Sequence, residues 1–206
     1  MINELKVGPF PAADATQITA RGDRTGATVV ADAHGRYHEG TSRNTTFMAA
    51  NQASATFTLF GNTTATGFIL FNPTGSGKIL SVLNIGYTKV SAAAAAIESL
   101  VLSGAYAGQT LSSLTALTTR CALVGSNATG VGIAYSAATL SAAGVIIYAF
   151  QSPSVSATAT TAVPPVTSVD VAGQIEIAQG AWVQLAAGFT NTLAGIAHMV
   201  WEEYPA

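Results

Sequence analysis

The chain has 206 residues and a net charge of −2, and only 9% of its residues are charged against 49% that are hydrophobic, where soluble domains usually carry about 25% charge. Two large domains do not fit this length, disorder needs the opposite balance of charge and hydrophobicity, and 8 basic against 10 acidic residues leave no footprint for nucleic acid or for a polybasic membrane contact. A surface so poor in charge is best kept in solution by covering it with copies of the chain or with a partner, so a homo-oligomer is expected.

The N-terminus, Met1-Ile2-Asn3-Glu4-Leu5-Lys6, lacks the basic start and apolar run of a secretion signal, and no uncharged apolar stretch is long enough to span a bilayer, so synthesis in the cytoplasm without membrane insertion is expected. Residues 1–43 hold five acidic groups (Glu4, Asp14, Asp23, Asp32, Glu39) and five basic ones (Lys6, Arg21, Arg24, Arg36, Arg43), and the other 163 residues hold eight charges. With Pro9, Pro11, Gly22, Gly26, Gly35 and Gly40 and no sustained apolar period, 1–43 reads as an extended polar arm with one short strand at 28–31. Residues 44–206 read as a separate β module.

Within that module, short β-rich runs are expected at 54–60, 67–71, 79–87, 144–150, 174–178, 181–186 and 196–202. The run Ala55-Thr56-Phe57-Thr58-Leu59 alternates with period two, as a strand with one face in a core does. Turn chemistry separates the runs at Gly61-Asn62, at Asn72-Pro73-Thr74-Gly75, at Gly125-Ser126-Asn127 and at Ala172-Gly173. The pattern predicts an all-β fold, an antiparallel sandwich or barrel. Residues 91–103 are ambiguous: five alanines followed by Ile97-Glu98-Ser99-Leu100 suit a helix, while Val101 and Leu102 suit a strand. The uncharged stretch 152–168, with Pro153, Pro164 and Pro165, reads as a long surface loop or a segment lying on a neighbouring subunit.

Few residues offer chemistry. Asn72-Pro73-Thr74-Gly75-Ser76-Gly77-Lys78-Ile79 has the Gly-Lys of a phosphate loop, but Asn72 stands where the first glycine belongs and Ile79 where the magnesium-binding hydroxyl belongs. A strand follows in place of the required helix, so Lys78 begins a strand after a turn. Asp32, His34, His38 and Glu39 lie within eight residues, but Gly35 breaks their spacing and a solvated polar arm explains them as well as a metal site does. His198, inside an apolar run, is expected to be a hydrogen-bonded strand residue, and Cys121, the only cysteine, a buried thiol. Glu202 and Glu203 are neighbours on a strand and point to opposite faces, so they cannot converge on one substrate atom; they read as terminal solubility. Arg21-Gly22-Asp23 and the three Asn-x-Thr sequences at Asn44, Asn62 and Asn127 are coincidences of a polar arm and a threonine-rich chain. No catalytic, cofactor-binding or metal-ligating residue is assigned, and no enzyme is expected.

Three segments together carry a resemblance. His34-Gly35-Arg36-Tyr37 leading through Arg43 to Phe47-Met48-Ala49-Ala50, then Phe71 through the Asn-Pro-Thr-Gly-Ser-Gly-Lys turn, then Met199-Val200-Trp201-Glu202-Glu203 resemble virion structural proteins of tailed bacteriophages. The resemblance implies a β-sandwich, jelly-roll-like module that is often trimeric and decorates or cements the capsid or forms head fibres or tail parts. It implies as partners the major capsid protein or other virion proteins, reached in part through the N-terminal arm, a location in the virion after synthesis in the host cytoplasm, and no catalytic residue. The runner-up is a tail or fibre module that binds a receptor or carbohydrate. Exposed aromatic clusters would mark it, yet Trp182 and Trp201 both lie in apolar strands.

Overall fold

A computed structural model describes residues 35–89, 100–150, 166–188 and 193–206. Contacts divide the chain between His38 and Glu39, and the unit Glu39–Ala206 is described below. Among the described residues a short helix α1 (His38–Ser42) is followed by twelve strands: β1 (Thr46–Ala50), β2 (Ala55–Phe57), β3 (Thr64–Phe71), β4 (Lys78–Lys89), β5 (Leu100–Ala105), β6 (Leu111–Ala116), β7 (Arg120–Cys121), β8 (Ile133–Leu140), β9 (Val145–Phe150), β10 (Val166–Ile177), β11 (Trp182–Ala187) and β12 (Leu193–Pro205).

The strands form two antiparallel sheets. One runs β10-β4-β12-β1-β7 with β2 paired to the start of β12, and the other runs β6-β8-β3-β11-β5-β9. The quartets β1-β12-β4-β10 and β3-β11-β5-β9, joined by connections that pass from sheet to sheet, have the pairing order of a jelly roll. Residues 111–140 are an insertion between its fourth and fifth strands, β5 and β9: β8 and β6 extend one sheet beyond β3, and β7 extends the other beyond β1.

Side-chain alternation explains the packing. In β12, Ala197, Met199 and Trp201 point inward and are fully buried, and they meet Phe68, Leu70, Leu102, Val183 and Leu185 of the facing sheet in one core. In β11 every residue is buried. Val183 and Leu185 face that core, while Trp182 lies on the opposite face with Ile69, Tyr135 and Leu140 in a second cluster. That sheet is thus buried on both faces at its centre, which is why β11 reads as a continuous apolar run. Gly144, in the connection from β8 to β9, lies against the Trp182 ring; a Cβ there would stand 2.6 Å from the ring edge, so only glycine lets the chain pass so close.

Three sequence expectations need correction, and one ambiguity is resolved in part. The strand pattern misses β1, β6 and β8, whose Ala, Ser and Thr carry too little apolar contrast to show a period, and β7, whose two residues are too few to show one. Residues 166–168, expected within a loop, begin β10. Ala172-Gly173 is not a turn between strands: both residues have positive φ and form a bulge inside β10, where the register with β4 shifts between Asp170 and Ile175. Residues 100–103 are strand, while 91–99 lie outside the described residues. So do most of the arm 1–43, its expected strand at 28–31 included, and 152–165.

Candidate interaction surface

The polar groups that looked most like chemistry hold loops in place. Asn72 is fully buried at the end of β3. Its amide donates to the carbonyls of Lys78 at 2.9 Å and Ile177 at 2.8 Å, and its Oδ1 accepts from the Ser76 hydroxyl at 2.7 Å. The Asn-Pro-Thr-Gly-Ser-Gly-Lys segment is therefore a turn clamped to the starts and ends of three strands, with Gly75 and Gly77 at positive φ. Lys78 opens β4, as expected.

Glu203 overturns the solubility reading of the C-terminal acidic pair. Its carboxylate is buried and accepts three N–H bonds, from Val131 at 2.8 Å, Gly132 at 2.9 Å and the Trp201 indole at 3.0 Å. A buried carboxylate held by that many donors is satisfied in place of water. The effect is to pin the 122–132 loop against the sandwich. The sequence signal was present in the period itself: Glu203 follows Ala197, Met199 and Trp201 on their own face of β12. Glu202, on the opposite face, accepts from the Thr45 hydroxyl at 3.0 Å.

The remaining candidates fall on separate elements. His38 starts α1, Glu39 pairs with Arg43 one turn on, and Asp32 and His34 lie outside the described residues. Among the described residues no three His, Cys, Asp or Glu side chains come together as a metal site would require. His198 lies half-buried on β12, with Nε2 3.2 Å from Asn84 Oδ1. That oxygen only accepts, which places the ring hydrogen on Nε2, and burial holds the imidazole below the ordinary histidine value of 6.5. Cys121 is buried, as expected, with Sγ 3.5 Å from Asn44 Oδ1. Both tryptophans are buried. No helix among the described residues is long and apolar enough to cross a membrane.

What the surface does offer is apolar. Tyr106 is 87% exposed, and Val145, Ile146 and Ile147 of the edge strand β9 are 59%, 43% and 47% exposed. Between β9 and β10 the two sheets part at a cleft of about 210 Å³, lined by Val145, Ile147, Ile175, Ile177, Ala181 and Val183 with Tyr106 at its edge. Gly104 lies opposite Val145 and Val183 in the ladder and supplies no side chain to fill the space. A second apolar point is the tip of the loop that Glu203 pins, where Val124 is 93% exposed. Sequence pattern alone could not find either place, because an exposed Ile on an edge strand and a buried one in a central strand read alike.

The edges of the sheets differ in how they meet solvent. β7 is two residues long and carries Arg120; β6 is Ser/Thr-rich with Ser113 at positive φ; β10 carries Asp170, Glu176 and its bulge. Short length, charge and bulges are the usual defences of a strand edge. β9, Val-Ile-Ile-Tyr-Ala-Phe, has one extra residue against β5 but neither charge nor proline. Compared with models of protein families, with curated proteins and with solved structures, the chain matches none.

Proposed function

We propose that this chain is a non-enzymatic structural protein of a tailed-bacteriophage virion, one that decorates or cements the capsid by self-association and by contacts with the lattice beneath it. The observation that carries the reading is the division of labour in the β unit: buried polar groups such as Asn72 and Glu203 hold loops in place, while Tyr106, Val124 and the β9 residues Val145, Ile146 and Ile147 are exposed and apolar. A surface of that kind binds protein by shape and burial and needs no acid, base or nucleophile. The jelly-roll order adds an analogy, since that architecture recurs in viral capsid proteins, although it also serves lectins and cupins. The charged N-terminal arm supplies salt-sensitive contacts with the major capsid protein or another virion protein. A trimer is the assembly we favour, located in the virion after synthesis in the host cytoplasm.

The alternative, a tail or fibre module for a receptor or carbohydrate, would use exposed rings for stacking. Burial of both tryptophans weighs against it. Co-sedimentation of the purified chain with phage particles that lack it tests the proposal. Saturable binding that weakens as salt is raised is expected, and particles that pellet without the chain at micromolar concentration would overturn it.

A further inference from the structure

The patch around β9 combines a projecting ring and a cleft of matching size. Tyr106 follows β5 and exposes nearly its whole side chain, an arrangement with no packing benefit in an isolated molecule. Beside it lies the cleft of about 210 Å³ between β9 and β10. A dry apolar cavity of about 150 Å³ takes up benzene, so this cleft has room for a phenol ring. Its walls are apolar apart from Glu176, an exposed residue between Ile175 and Ile177 on β10 whose side chain alternates to the face away from the cleft.

We propose that Tyr106 of one copy enters the cleft between β9 and β10 of the next copy, and that this contact joins the protomers of the assembly. The proposal rests on the self-association reading above and names its surface. Two features on the page choose a second copy as the occupant. An uncharged apolar patch meets its own copy without repulsion, whereas the other sheet edges bring charge or polar residues to such a contact. Knob and cleft also lie side by side on one patch, so a second copy presents both the ring that fills the cleft and the cleft that takes the ring. In the assembly, Val145, Ile146 and Ile147 would then be covered, which accounts for an edge strand that carries neither charge nor proline.

Multi-angle light scattering on the full chain, with its monomer mass of 20.8 kDa, tests the proposal. The parent protein is expected to be oligomeric. Tyr106→Ala should dissociate at least ten-fold more readily with an unchanged circular dichroism spectrum and melting curve of the monomer fold, since the side chain it removes is exposed. Tyr106→Phe should retain the assembly, and Ile147→Lys, at the cleft, should lose it. Val124→Lys, at the other apolar point, should not change the mass. A monomeric parent would overturn this contact and the self-association reading together. An oligomer that survives both Tyr106→Ala and Ile147→Lys would leave self-association standing and reject this surface, as would an oligomer that only Val124→Lys dissociates.

Discussion

Trp201→Ala is expected to unfold the sandwich or to lower its stability by about 3–5 kcal/mol, the usual cost of truncating a buried tryptophan. Trp201 is fully buried in β12, between Phe47 of β1 and Val82 of β4 in the ladder. Its surroundings are too close-packed to collapse into the space: a Cβ at Gly132 would already stand 2.8 Å from the indole nitrogen. The indole also donates to Glu203, so truncation removes one of the three donors that stabilise a buried carboxylate. Against a total stability of about 5–15 kcal/mol for a domain, the combined loss is large. Urea denaturation measures it. Trp201→Phe keeps most of the ring and should cost less, and a Trp201→Ala midpoint equal to the parent's would mean that β12 does not sit at the centre of the core.

Removing the carboxylate should act more locally. Glu203→Ala leaves the N–H groups of Val131 and Gly132 and the indole of Trp201 without their acceptor, and each buried donor so stranded costs about 1–3 kcal/mol. Some of that is recovered if the 122–132 loop lifts away and its amides meet water. The expected result is therefore a loss of about 2–4 kcal/mol together with rapid proteolysis within that loop, while the strands stay protected. Glu203→Gln should rescue only in part: its two oxygens are both used, and an amide puts an NH₂ against one of the donors. Unchanged cleavage in both variants would show that the loop is held by packing alone.

What the sequence conveyed and what it withheld follow one physical rule. Strands with strong apolar contrast were legible: β3, β4, β9, β11 and β12 all overlap expected runs, and the turn before Lys78 was read from its glycines and from Ile79. Strands built from Ala, Ser and Thr were not, because their pattern of burial is set by the neighbour across the ladder. In β8, Ala134 and Ala138 are buried because they pair with Leu70 and Ala65 of β3, a fact that no periodicity of β8 itself contains. At Glu203 the period of β12 gave the buried face, but not the donors that satisfy the carboxylate there. An acidic residue at the end of a chain reads as solvated until the loop that covers it, some seventy residues earlier, is placed against it. The apolar patch at Tyr106 and β9 was hidden for the converse reason, since only the topology shows that β9 has no strand beyond it among the described residues.

The proposal that this chain is a virion protein is tested most directly by the protein composition of virus particles purified from a culture that expresses the chain, by quantitative peptide mass spectrometry. The account predicts the chain in the particles at a copy number in fixed proportion to the major capsid protein, and its release as an intact folded oligomer when the lattice is loosened. A chain that is abundant in the infected lysate yet absent from purified particles would contradict it.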